Sequence, residues 1–133
     1  MTENEKLRAK MRAEVLKALA HPSRLFMVEK LEAKPYCVCE LTEMVGADGS
    51  TVSKHLSILK AAGIIEEDRK DGTSTYYRLS CDCYKALTEG VEQVVRNRFE
   101  KQRQALNGMV NPLPAGPKTR HLRQPGKLAS ARR

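Results

Sequence analysis

The sequence predicts a mainly α-helical domain that carries one β-hairpin. Three observations predict it. Apolar residues recur at helical spacing in several separate segments, a Gly-bearing turn divides two short helices, and an Asp-Gly turn lies between two strand-like runs. A length of 133 residues suits one domain with little left over. At 41% hydrophobic the chain can bury a core, but 5% aromatic content and no Trp make that core lean. No run of about 18 apolar residues exists, which excludes a helical membrane span.

The elements follow in order. Leu7, Met11, Val15 and Leu19 recur every fourth residue and mark an amphipathic helix. His21-Pro22-Ser23 interrupts it, with His21 as a cap and Pro22 suited to the first turn of the next helix, which carries Leu25, Val28 and Leu31. Lys34-Pro35 ends that helix, because the residue before Pro is pushed out of the α region. Tyr36 to Cys39 reads as a short extended segment and Glu40 to Val45 as a short helix with Leu41, Met44 and Val45 inward. Gly46 to Gly49 is a turn. Ser50 is the expected N-cap of a further helix with Val52, Leu56 and Leu59 inward, and Gly63 is its expected stop. Ile64-Ile65 opens a strand, Asp71-Gly72 turns it, and Tyr76 to Leu79 returns. A long last helix runs from about Asp82 through Leu87, Val91, Val94, Val95, Phe99 and Leu106.

The charge is unevenly placed. Residues 1–100 carry 16 basic and 16 acidic side chains, whereas 101–133 carry eight basic and no acidic ones. The net charge of +8 therefore lies in the last part of the chain, which is also rich in Pro and Gly. The expected division is a domain over 1–106 and a basic, disordered tail over 107–133. Such a tail suits contact with a polyanion, or serves only as a solvated extension.

Leu41 to Gly63 has the form of a helix-turn-helix. The outer face of its second helix carries Ser50, Thr51, Ser53, Lys54, His55 and Ser57, short hydroxyls and cations with no acid, as contact with phosphates and base edges requires. Arg69, Lys70 and Thr73 flank the hairpin tip and extend the candidate double-stranded DNA surface. Three separated segments, Ala18 to Leu25, Gly49 to Gly63 and Tyr76 to Leu79, strongly resemble the ArsR/SmtB-type winged-helix repressors. The resemblance covers about residues 7 to 100. It implies a winged helix-turn-helix homodimer joined through its first and last helices, binding an operator and releasing it when a metal ion or metalloid binds. The apolar stripes from Leu7 to Leu19 and Leu87 to Phe99 agree, since each needs a partner surface.

Four cysteines fall as two Cys-x-Cys pairs, Cys37/Cys39 and Cys81/Cys83. The N-terminal segment Met1 to Lys10 is polar and unlike a signal peptide, so a cytoplasmic setting with reduced thiols is expected. Metal or redox chemistry is then expected ahead of structural disulfides. The winged-helix resemblance implies that the first strand pairs with the returning hairpin strand, which would bring all four sulfurs together within one chain. Cys37-Val-Cys-Glu-Leu41 resembles the effector motif of the arsenic-responsive branch, but Thr42 stands where that branch has a third Cys. Cys81 or Cys83 would have to complete a three-thiolate set. Such a set suits arsenite or antimonite; four thiolates equally suit cadmium, lead or zinc. Three rival readings are a structural zinc site, a thiol redox switch and a dithiol oxidoreductase. The last lacks a Cys-x-x-Cys, a phosphate-cradling loop and a His placed to activate a nucleophile. The expected function is a repressor, not an enzyme, with no permanent cofactor and no membrane partner.

Overall fold

A computed structural model describes residues 1–109. Its elements are α1 (Glu3–Leu19), α2 (Pro22–Ala33), β1 (Tyr36–Cys37), α3 (Val38–Val45), α4 (Gly49–Ala61), β2 (Ile65–Asp71), β3 (Ser74–Leu79) and α5 (Tyr84–Met109). This is the element order expected from the sequence. The chain divides into two compact units, Met1–Glu92 and the part from Gln93 on.

Local chemistry sets the helix ends in the first unit. Thr2 opens α1 in a capping box with Glu5. His21 caps α2, its Nδ1 accepting the Ser23 N–H at 3.1 Å, with Pro22 in the first turn. α4 ends in a Schellman motif. Gly63 adopts φ 77°, its N–H donates to Lys60 C=O, and the Ile64 N–H donates to Leu59 C=O, each at 3.0 Å. The three strands form an antiparallel sheet in the order β1-β3-β2. β2 and β3 make the wing. Asp71 pairs with Ser74 across a loop whose first residue, Gly72, has φ 62°, the left-handed value a two-residue hairpin loop needs.

The core is formed by Leu19, Met27, Val28, Leu31, Leu41, Val52, Leu56, Leu59, Ile64 and Ile65. Each large aliphatic side chain removed fully from water stabilises the fold by about 1.5–3 kcal/mol. Leu7 and Met11 of α1 stay more than half exposed, at 57% and 58%, so the first half of the α1 stripe is uncovered, while Val15 packs against the core and Leu19 is buried in it.

In the second unit the described residues are the helical stretch through Met109, whose side chains tie successive turns. Gln93 donates to Asn97 at 3.0 Å and Arg103 to Glu100 at 2.8 Å. Val94 and Phe99 are each 67% exposed there.

Three boundaries differ from expectation. Val38 and Cys39 are helical rather than extended, because the Cys37 sulfur caps α3 and starts it two residues earlier than foreseen. The N-cap of α4 is Asp48 and not Ser50, since the Asp48 carboxylate already accepts the Thr51 N–H at 2.6 Å. α5 continues past Leu106 to Met109. The basic tail beyond it lies outside the described residues. No helix among the described residues is long and apolar enough to cross a membrane.

Candidate nucleic-acid interface and thiol site

α3 and α4 form the two-helix unit. α3 ends at Gly46, whose φ of 72° reverses the chain while its N–H donates to Thr42 C=O at 3.0 Å. With Val52, Leu56 and Leu59 buried, the opposite face of α4 presents Ser50, Ser53, Lys54 and Ser57 to solvent, and Thr51 half-buried beside them. Two hydroxyls are already engaged locally. Ser50 donates to the Asp48 carboxylate at 2.9 Å and Ser57 to the Ser53 carbonyl at 3.0 Å.

Asp48 is a residue the sequence reading passed over. The Thr51 N–H, then hydrogen bonds from the Thr51 and Ser50 side chains, hold its carboxyl below the usual carboxylate range. The cap therefore stays ionised at the positive end of α4. Ser50 is displaced from the capping role to a position on the outer surface.

His55 is placed differently from its neighbours. It is half-buried, its Nδ1 accepts from the Arg24 guanidinium at 3.2 Å, and its ring lies 4.4 Å from that of His21, tilted by 45°. Burial first, then repulsion from His21 and Arg24, pushes its pKa below the ordinary imidazole value. The outward role foreseen for His55 is thus shared with an inward one, and Arg24, which was not singled out, is the partner.

The wing is more mixed in charge than its tip suggested. Arg69 lies over the Tyr76 ring, 4.2 Å from its centroid, and 3.5 Å from Asp68. Arg78 pairs with Glu66 at 2.8 Å and Lys60 with Glu67 at 3.1 Å. Lys70 and Thr73 are exposed near the tip.

The cysteines form two separate pairs. Cys37, 2% exposed, ends β1 and caps α3. Its sulfur accepts the Glu40 N–H at 3.4 Å and its own N–H donates to the Glu40 carboxylate at 3.0 Å. Cys39, exposed on the first turn of α3, is disulfide-bonded to Cys37, with Cα atoms 5.5 Å apart. Cys81 and Cys83, both exposed, are bonded to each other at the same Cα separation. The expected convergence of four sulfurs does not occur. β1 does pair with β3, but in the register Cys37↔Tyr76. Cys81 follows Tyr76 along β3 and beyond, on the order of 16 Å at about 3.3 Å per residue, while Cys39 departs in α3. Among the described residues no group of three or more His, Cys, Asp or Glu side chains is placed to hold a metal ion. Each sulfur's neighbour is its own Cys-x-Cys partner.

Cys39 also opens onto the candidate DNA surface. With Val38, Thr42, Gly49, Tyr77 and the wing residues Thr73 to Thr75 it lines a groove of about 500 Å³.

Comparison with known proteins gives this geometry a family. Residues 21–67 match the model of bacterial regulatory proteins of the arsR family. The chain is 36% identical over 83 residues to an HTH-type transcriptional regulator of Methanocaldococcus jannaschii, spanning 62% of this chain and 92% of that one. It is 42% identical over 67 residues to the HTH-type transcriptional repressor SmtB of Mycobacterium tuberculosis, spanning 50% of this chain and about half of SmtB. The fold is similar to the homodimeric winged helix-turn-helix DNA-binding domain of a possible ArsR-family regulator from Mycobacterium bovis, with a TM-score of 0.65 and 28% identity over 76% of this chain and 93% of that one. These relatives are regulators of transcription and not enzymes. The chain belongs to the arsR family of helix-turn-helix transcriptional regulators.

Proposed function

We propose that this protein is an operator-binding transcriptional repressor that acts as a homodimer and leaves DNA when Cys37 and Cys39 react together as a dithiol. The repressor reading is supported by likeness to SmtB, and the dimer by likeness to the M. bovis domain and by the exposed apolar residues of α1. The observation that carries the thiol reading is the position of Cys37. Its sulfur is the cap of α3, the helix that opens the DNA-reading unit. Chemistry at that sulfur therefore acts on the first turn of α3, where the helix leaves the sheet.

The residues present fit dithiol chemistry rather than a three-thiolate pyramid or a four-thiolate tetrahedron within one chain. The proposed effector is trivalent arsenic or antimony bridging the two sulfurs. Arsenous acid and two thiols give a dithiolate As–OH and two waters. The bonded arrangement of the pair favours a second reading, oxidation by a peroxide, in which two thiols become a disulfide and the peroxide becomes two waters. Cadmium, lead and zinc need more ligands than one pair supplies.

The test is fluorescence anisotropy of the reduced protein on DNA from upstream of its own gene, titrated separately with arsenite, cadmium, zinc and peroxide. Release by arsenite establishes the first reading, and dithiol-reversible release by peroxide the second. The Cys37→Ser/Cys39→Ser variant is expected to bind DNA as the wild type does and to ignore the effector. Serine keeps an N-cap oxygen at position 37, so loss of DNA binding by that variant points to a structural pair and overturns the proposal.

A further inference from the structure

One side chain joins three helices of the first unit. Arg24 lies near the start of α2. Its Nε donates to the carbonyl of Ala18, in the last turn of α1, and a terminal nitrogen donates to Nδ1 of His55 on α4 at 3.2 Å. His21, which caps α2, adds its ring beside that of His55 at 4.4 Å between centroids. Apart from the exposed Lys60–Glu67 pair between its last turn and β2, α4 is attached through the apolar side chains Val52, Leu56 and Leu59. Apolar burial is non-directional. It holds a helix against the core and leaves its roll about its own axis weakly specified. A directional hydrogen bond from a planar, fixed-geometry donor supplies that specification.

We propose that Arg24 is a positioning residue for DNA recognition. Through His55 it fixes the roll of the reading helix α4 against the end of α1, and it does so only while His55 is neutral. The proposal rests on the DNA-binding reading of α4 and adds to it a defined strut and a proton requirement. The chemistry of the pair sets the protonation state. Arginine has donors and no acceptor, so the His55 Nδ1 must carry a lone pair and the ring proton must sit on Nε2. A second proton on Nδ1 would set donor against donor and add a positive charge beside two groups. The charged and titratable groups acting on His55 are His21, the cap of α2, and Arg24 in its first turn, and the Ala18 carbonyl of α1 accepts from Arg24. Burial and those two neighbours already disfavour the imidazolium.

Two measurements test this, one of which needs no DNA. In the full-length reduced protein, the imidazole ¹⁵N shifts of His55 are expected to show the Nε2–H tautomer at neutral pH. The titration midpoint of His55 should rise in Arg24→Gln. An Nδ1–H tautomer, or a midpoint unmoved by Arg24→Gln, overturns the strut whether or not the DNA-binding reading stands. On duplex from upstream of the gene, wild-type affinity should fall as pH drops from about 7.5 to 5.5. Arg24→Gln should bind about tenfold more weakly at pH 7.5, the scale of one charge-assisted hydrogen bond, and lose most of that pH dependence. Arg24→Lys, a point donor without the fork, should lie between. His55→Asn places a non-titrating acceptor near the Nδ1 position and should flatten the profile. Size-exclusion chromatography and circular dichroism establish that each variant keeps its assembly and helices. A folded Arg24→Gln with wild-type affinity and an unchanged pH profile refutes the positioning role. Wild-type protein that binds no such duplex while His55 behaves as stated separates failure of the DNA reading from failure of the strut.

Discussion

At His55 the folded state favours the neutral ring, first because burial penalises the imidazolium and then because His21 and Arg24 repel it. The consequence for stability has a definite sign. A histidine whose folded pKa is depressed contributes stability that is fully present above its unfolded value, about 6.5, and is lost as pH falls through the folded value. Thermal unfolding is therefore expected at lower temperature as pH drops below about 6.5, with a smaller drop in His55→Asn. An equal drop in both would assign the acid sensitivity elsewhere. The core residue Leu41, fully buried on α3, gives a size scale for comparison. Leu41→Ala should cost about 2–5 kcal/mol by chemical denaturation, enough to threaten a small domain.

Among elements, the junction of β1 and α3 and the turn between α3 and α4 carry the mechanics. Gly46 holds φ at 72°, a conformation in which an added Cβ meets the following carbonyl. Gly46→Ala is expected to destabilise by about 1–2 kcal/mol and to weaken DNA binding by misorienting α4. The groove shared by Cys39, the start of α4 and the wing gives a separate expectation. Operator DNA should slow alkylation of Cys39 in the reduced protein by about tenfold or more, the effect of a contact worth about 1.4 kcal/mol. Cys83, which does not line that groove, should react at an unchanged rate. Equal protection of both thiols, or of neither, would mean that Cys39 lies off the DNA surface. The second cysteine pair, at the start of α5, has no assigned role.

For the whole molecule, the exposed apolar residues of α1 point to association. Met11→Glu should shift the protein toward monomer in sedimentation experiments and weaken operator binding with it, since two reading helices about one DNA turn apart bind as a unit. Much of this architecture is written locally. Apolar spacing marks the helices, Gly63 and Asp71-Gly72 mark where chains must turn, and the acid-free outer face of α4 marks the proposed reading surface, because each depends on residues a few positions apart. Helix starts at Cys37 and Asp48 were harder to read, since several neighbouring side chains are competent caps and local sequence does not choose among them. Two features depended on the tertiary structure alone. One is the separation of the cysteine pairs, decided by the β1–β3 register, which no composition or spacing encodes. The other is the Arg24–His55 bond, between residues on different helices, which forms only because core packing brings α2 against α4. Periodicity and turn chemistry act over one or two turns of chain, whereas register and packing are settled by burial of the whole core at once.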